Sequence, residues 1–297
     1  MRSLLRSLLY KEGINKIVRG LMRLMGPLVP DRYRINPSGL VNIRVNSEIS
    51  LKLSTNQTSY VTRRLYWNDP LEFEYTSVFL DLIKKVDTFW DVGANIGYYS
   101  ILGTKINPDL KVEAFEPSIG PLKYLSENLR INEVSDKIQV HPYALSNASG
   151  DIDFYEVFNP KFPKILNLSG EHNTGTKRGI PSQKVTVAAK RLSDIRLQTP
   201  PIDLVKIDVE GAEVAVLRGG LDAIKKDRPI VICELLFDLN ESELESYFKD
   251  LEYSFFAHIG HGLKRITSLT RKEDNGIRDV FFVPLEKEHL VTEFEIL

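Results

Sequence analysis

The chain carries one cysteine, Cys233, in 297 residues. That excludes an intramolecular disulfide framework and any zinc site built from several thiolates. The thiol lies in the apolar run Pro229-Ile-Val-Ile-Cys-Glu234, which makes it a small core residue rather than a reactive one. Long apolar runs are missing too, and no stretch reaches the ~18 continuous apolar residues of a membrane span. The first residues are interrupted by charge every few positions, and no small-residue cleavage site follows, so they do not read as a secretory signal. A net charge of −1 excludes a globally basic nucleic-acid binder. No internal repeat or low-complexity tract interrupts a chain that is 42% hydrophobic and 27% charged, values ordinary for a globular protein. The length suits one large α/β domain with attachments, and the thiol-poor composition suits a reducing, cytoplasmic compartment.

The charge is uneven. Residues 1–25 hold Arg2, Arg6, Lys11, Lys16, Arg19 and Arg23 against Glu12, a net of +5, which leaves −6 for the rest. Ile14, Ile17, Val18, Leu21, Met22, Leu24 and Met25 recur at helical spacing, with Lys16, Arg19 and Arg23 on the opposite face. Residues 2–10 form a shorter helical pattern whose face differs, and Gly13 separates the two. One reading is an interfacial helix drawn to anionic lipid at the inner face of the membrane. The other is a helix lying on the domain, or on a second subunit, with its basic face solvated. The second is preferred, because amphipathic helices are commonplace in soluble proteins.

Residues 40–45 and 49–53 alternate apolar and polar side chains, as half-exposed strands of a hairpin do. With the first helix they form an extension over 1–70, ahead of a main domain over 71–297. A helix is expected over 71–85. Strands are then expected over 88–92, 111–115, 138–144, 204–207, 230–234, 253–257 and 280–283. Helices are expected between them over 97–106, 119–131, 211–226 and 241–251. Short apolar strands alternating with helices imply a parallel sheet covered on both faces. Residues 151–191 break that rhythm with a strand pair, 152–157 and 184–188, around a polar loop.

Ligands in such sheets bind beyond the carboxyl ends of the strands, where strand order reverses. The first strand ends Asp91-Val-Gly-Ala-Asn-Ile-Gly97, where Gly93 and Gly97 allow a tight turn and Asp91 is placed to face a ligand. The spacing is not the dinucleotide motif Gly-x-Gly-x-x-Gly, nor is there a P-loop. The second strand ends Phe115-Glu-Pro117, and Glu116 follows Gly97 by 19 residues, close to the ~20 at which a carboxylate meets ribose hydroxyls.

With Lys206-Ile-Asp-Val-Glu-Gly-Ala-Glu213, these elements resemble the FkbM-type methyltransferases over roughly 73–283. The resemblance implies a class I methyltransferase (Rossmann-like) fold with a seven-stranded sheet whose last strand is antiparallel. It implies S-adenosylmethionine, with Asp91, Gly93, Ala94, Asn95 and Gly97 around the amino-acid moiety, Glu116 and Pro117 at the ribose, and Ala144 and Leu145 near adenine. Family members commonly O-methylate hydroxyls of sugars or polyketide-type products.

Asp208 is expected at the tip of the fourth strand, facing the transferred methyl, with Glu210 just beyond. Methyl transfer from a sulfonium needs alignment above all, and an alcohol acceptor gains from a base that removes its proton. Asp208 is the first candidate for that base and Glu210 the second. Glu213 divides between function and complementing a helix N-terminus. Asp208 and Glu234 end adjacent strands and could hold Mg²⁺, although the metal-free route is preferred. The family's histidine two residues after the fifth-strand acid is Leu236 here. His172, in the polar loop, is a candidate base or sugar ligand, with plain solvent exposure the preferred reading. His141 reads as structural, and His258 and His261 alone make no metal site. Tyr98 and Tyr99 either pack over the cofactor or pack the core.

These residues favour an O-methyltransferase acting on a hydroxyl of a sugar, glycolipid precursor or related natural product. The rivals are methylation of an amine or protein side chain, and a non-catalytic binding module that keeps the fold. Glycine spacing disfavours a dehydrogenase. The −6 outside the first segment, and the lack of an Asn/Asp-Pro-Pro-aromatic tetrad, disfavour nucleic-acid methylation.

Overall fold

A computed structural model describes residues 8–160, 163, 165–174 and 179–296 of the chain. Helix α1, Glu12–Met25, leads to a hairpin of β1, Gly39–Arg44, and β2, Ser50–Thr55. Val41 pairs with Leu53 and Ile43 with Leu51, so one face of the hairpin is apolar and buried, as its alternation requires. Part of the 2–10 helical pattern lies outside the described residues. Helix α2, Tyr60–Trp67, was not anticipated; it starts at Ser59, whose hydroxyl accepts from the Thr62 amide at 3.1 Å.

The single helix expected over 71–85 is three pieces. A 3₁₀ turn at Pro70–Glu72 comes first, then α3, Thr76–Leu82, then a 3₁₀ turn at Ile83–Lys85. Glu74, at φ +45°, lies between the first two and cannot continue a right-handed helix.

Strand β3, Thr88–Val92, is followed by α4, Tyr98–Ile106; β4, Lys111–Phe115, by α5, Ile119–Ile131; then comes β5, Ile138–His141. The pair β6, Ala144–Leu145, and β7, Gly150–Val157, joins β8, Ser182–Lys190, in a small separate sheet. After α6, Leu192–Arg196, come β9, Leu204–Ile207, and then α7, Glu213–Gly219, and α8, Leu221–Asp227. The last two replace one expected helix, because the chain breaks at Gly220. Strand β10, Ile230–Glu234, and α9, Glu241–Lys249, precede β11, Tyr253–Ile259, β12, Gly262–Ile266, and β13, Asp279–Pro284.

The main sheet runs β12-β11-β13-β10-β9-β3-β4-β5. Strands β5, β4, β3, β9 and β10 are parallel, and β13 is antiparallel to both neighbours. Seven of these strands form the expected class I methyltransferase sheet, whose last strand in sequence is the antiparallel one. The eighth, β12, is an edge strand with no counterpart among the expected strands; Gly260 at φ +61° folds it back onto β11. Strand order reverses between β3 and β9, which puts their carboxyl ends side by side.

Two apolar cores cover the faces. Consecutive residues of β3 point to opposite ones: Phe89 joins Phe79, Leu102 and Leu125, while Trp90 joins Phe115, Leu217 and Phe282. Cys233 is buried in the second, as its context suggested. Among the described residues no helix is long and apolar enough to cross a membrane. Helix α1 does lie on the domain, but with the reverse of the preferred orientation. Its buried residues are Asn15 and Arg19, Val18 and Met22 are half-buried, and Ile14, Ile17, Leu21, Leu24 and Met25 face solvent, while Lys16 and Arg23 are exposed as expected.

Candidate active site

The β3–α4 loop turns because Gly93 and Gly97 take left-handed backbone, φ +80° and +86°. The amides of Gly93 and Ala94 both donate to the Phe115 carbonyl at 3.0 Å, which binds the loop to the end of β4. A Cβ on Gly93 would sit 1.9 Å from the Asp208 carbonyl oxygen, so only glycine lets this loop meet the end of β9. A Cβ on Gly97 would meet Leu125 at 2.5 Å. Glu116, at the tip of β4, reaches back: its carboxylate accepts from the Asn95 amide and the Ser118 amide, each at 2.9 Å. Burial pushes its pKa up to about 7, against the pull of those two amides.

Beneath the loop lies Lys206, buried in the otherwise apolar strand β9. Its ammonium donates to the Gly93 carbonyl at 2.9 Å and stands 3.3 Å from Asp91 and 3.4 Å from Asp208. Burial opposes its charge, but Asp91, Asp208 and Glu74 together raise its pKa. Asp91 also accepts from the Ser100 hydroxyl at 2.6 Å and is 1% exposed. It therefore supports the loop from below instead of facing the cleft.

The β9–α7 turn carries Glu210 at φ +56° and Gly211 at φ +102°. Glu213 is fully buried and accepts from the amides of Val209 (3.3 Å) and Gly211 (2.9 Å) and from the side chain of Asn240 (2.9 Å). That settles its divided reading in favour of an internal clamp on the turn. Asp208, Glu210 and Glu234 each offer an oxygen within 4.8 Å of the other two. Glu74 and Asp279 add to this acidic corner. Burial first, then Asp279 and Asp208, push Glu74 well above the usual carboxylate range, and burial with Asp208 brings Asp279 up to about 7. Three non-glycine residues of the cleft wall, Glu74, Asn95 and Glu210, have left-handed backbone, a strain that concentrates at functional sites.

Residues 166–174 form a flap along the cleft. The side chain of Asn56 donates to the Leu166 carbonyl at 2.8 Å, and the Leu168 amide donates to the Thr58 hydroxyl at 2.8 Å, which straps the flap to the segment after β2. His172 is buried rather than exposed, which corrects the preferred reading. Its Nδ1 accepts from the Val157 amide at 2.8 Å, so that lone pair is taken, and burial lowers its pKa. That bond ties the residue to the end of β7, and base catalysis by Nδ1 would require breaking it.

The resulting cavity of about 230 Å³ is lined by Gly93, Ala94, Asn95, Glu116, Pro117, Ala144, Leu145, His172, Asp208, Glu210 and Glu234. Asp91 and Gly97 lie behind it. Sequence reading missed Glu74, Asp279, the structural part of Lys206, and the aromatic walls Tyr60, Phe73, Tyr143 and Phe154. Lys206 left a signal, a lone cation in a strand buried on both faces; Glu74 left none. Tyr98 and Tyr99 pack in the core beside Thr76 and also reach the cleft. His141 is structural, between Glu113 (2.5 Å) and the Tyr143 hydroxyl (2.9 Å).

A glycine loop and a buried acid at the switch point of a sheet with this order define a class I methyltransferase. The description of the Methyltransferase FkbM domain matches residues 91–259, and the chain belongs to that family of S-adenosylmethionine-dependent methyltransferases. It is 32% identical over 153 residues to methyltransferase sdnD of Sordaria araneosa, a match covering 43% of this chain and 58% of that one. To the hexuronic acid methyltransferase AglP of Haloferax volcanii it is 28% identical over 204 residues, 68% of this chain and 74% of AglP. To the 2-O-methyltransferase NoeI of Sinorhizobium fredii it is 27% identical over 158 residues, 50% of this chain and 64% of NoeI.

Proposed function

We propose that the protein transfers a methyl group to a hydroxyl of a sugar, glycolipid precursor or related natural product. The observation that carries this is one covered cavity with the Gly93–Asn95 loop and Glu116 on one side and Asp208, Glu210 and Glu234 on the other. S-adenosylmethionine, when bound, supplies a methyl group on a positively charged sulfur.

The donor set fits that cofactor. Glu116 is a buried carboxylate with one amide on each oxygen, which leaves lone pairs for the two hydroxyls of a ribose. Gly93, Ala94 and Asn95 would border the amino-acid moiety, with Lys206 and Asp91 holding the loop rigid. Phe115, Tyr143, Ala144 and Leu145 form an apolar wall suited to adenine. On the acceptor side Asp208, whose carboxylate stands 3.4 Å from the Lys206 ammonium, accepts the hydroxyl proton. The aromatic walls suit a sugar ring better than an extended protein segment. The relatives named for a hexuronic acid and for 2-O-methylation support the same acceptor class.

Calorimetric titration with S-adenosylhomocysteine tests the cofactor half. The expected result is micromolar-range binding, weakened at least about tenfold in Glu116→Ala and in Asp91→Ala. Folded, ligand-free protein that binds nothing would remove the methyltransferase reading and leave a binding module.

The 4.8 Å grouping of Asp208, Glu210 and Glu234 favours a second reading, in which these carboxylates hold a divalent cation beside the acceptor. Such a cation would lower the pKa of a bound hydroxyl. Methyl transfer unchanged by a chelator would eliminate it.

A further inference from the structure

Helix α1 is fastened through its polar side. Asn15 donates to the carbonyls of Leu9 (3.2 Å) and Asn36 (3.1 Å), and its Oδ1 accepts from the Ser38 amide (2.8 Å) and from Arg19 (2.9 Å). Arg19, 3% exposed, donates further to the carbonyls of Ser38 (2.8 Å) and Leu40 (2.6 Å), and its guanidinium lies over the Tyr66 ring. Glu12, the only acid of residues 1–25, accepts from the Leu40 amide at 3.2 Å. This network is well satisfied and sets which way the helix faces.

The opposite side is apolar and open. Ile17 is 65% exposed, Leu21 57%, Leu24 86% and, one turn past the helix, Leu28 80%. Ile17, Leu21 and Leu24 recur at three- and four-residue steps, so they form one stripe along the helix, and Leu28 is exposed beyond the break at Gly26. A soluble helix buries such a stripe, and leaving it in water costs about 25 cal/mol per Å² of apolar surface. Exposed Lys16 flanks the stripe, Lys11 is exposed at the helix start, Arg23 and Arg32 are exposed nearby, and the nearby Asp31 is paired with Arg63 at 2.9 Å. A stripe of this kind edged by cations is complementary to an anionic, apolar-centred surface. A two-fold contact with a second copy would set the same cations against each other.

We infer that the outward stripe of α1 is a docking surface for an anionic lipid bilayer, held parallel to the membrane by the Asn15–Arg19 network. The helix would sink its leucines into the headgroup boundary while Lys11 and Lys16 meet lipid phosphates. This is independent of the chemistry at the active site.

The test is co-sedimentation of the full chain with vesicles of phosphatidylcholine alone or mixed with phosphatidylglycerol. The expected result is binding to the mixed vesicles that falls at least about tenfold in Leu21→Glu/Leu24→Glu, since two inserted side chains are lost. The double variant removes no buried contact and should keep the parent's melting temperature. Absent binding of the parent to mixed vesicles, or equal binding by the variant, would overturn the inference. So would a parent dimer by ultracentrifugation that the double variant turns into monomer without any vesicle binding, which would assign the stripe to a second copy.

Discussion

Asp208 and Glu210 stand two residues apart at the tip of β9, yet they differ in what fixes them. Asp208 stands 3.4 Å from the buried Lys206 ammonium, whereas Glu210 sits on a left-handed turn held by Glu213. If Asp208 removes the acceptor proton, Asp208→Asn should lower kcat by about 10²-fold or more while S-adenosylhomocysteine affinity changes less than about threefold. Glu210→Gln should cost less. The reverse order in steady-state kinetics would transfer the base to Glu210. Lys206 keeps Asp91 and the Gly93 carbonyl in the Asp208 variant, so the loop should not collapse.

Among the elements, the hairpin is the one whose attachment was least visible. Two asparagines one turn apart, Asn128 on α5 and Asn132 at its C-cap, serve as its missing strand neighbour. Asn132 accepts from the Lys52 amide (3.0 Å) and donates to its carbonyl (2.6 Å). Asn128 accepts from the Ser54 amide (2.6 Å) and donates to the Ser54 and Ile96 carbonyls. Asn128 thus ties together the edge of β2, helix α5 and the glycine loop. Asn128→Ala should cost about 1–3 kcal/mol in denaturant unfolding, because buried backbone groups lose their partner. A variant as stable as the parent would mean that water replaces the amide. The strand alternation of the hairpin was readable from its residues; the asparagines were not, since spacing of four on a helix says nothing about what lies opposite. Helix α3 was overextended for a related reason: the apolar pattern of 71–85 is continuous, and only the backbone of Glu74 breaks it.

At the scale of the molecule, the acidic corner should leave a mark on stability. The Asp279 pKa is raised from an ordinary carboxylate value to about 7 in the folded state, chiefly by burial. A raised carboxyl stabilises the fold fully below its unfolded pKa and loses that contribution as pH rises through about 7. Stability of the parent should therefore decline between about pH 4 and 7 through this group, and Asp279→Asn should show a shallower decline. The depressed His258, about 4, acts in the opposite sense but is common to both proteins and cancels in the difference. Equal slopes in melting temperature against pH would remove Asp279 as the cause.

Hydrophobic period, glycine spacing and terminal acids are local properties, written in neighbouring residues. They were enough to read the alternating strands and helices, the switch-point loop at Gly93, and the strand-end acids at 116, 208 and 234 with Glu210 beyond. Decisions that need atoms from distant parts of the chain were made only by the tertiary structure. Asp91 turned under the loop because Lys206 and Ser100 meet it there. The Nδ1 lone pair of His172 is taken because the amide of Val157, at the end of β7, comes within 2.8 Å. The apolar face of α1 turned outward because Asn15 and Arg19 found buried carbonyls in the hairpin, and satisfying a guanidinium inside the protein outweighed covering leucines.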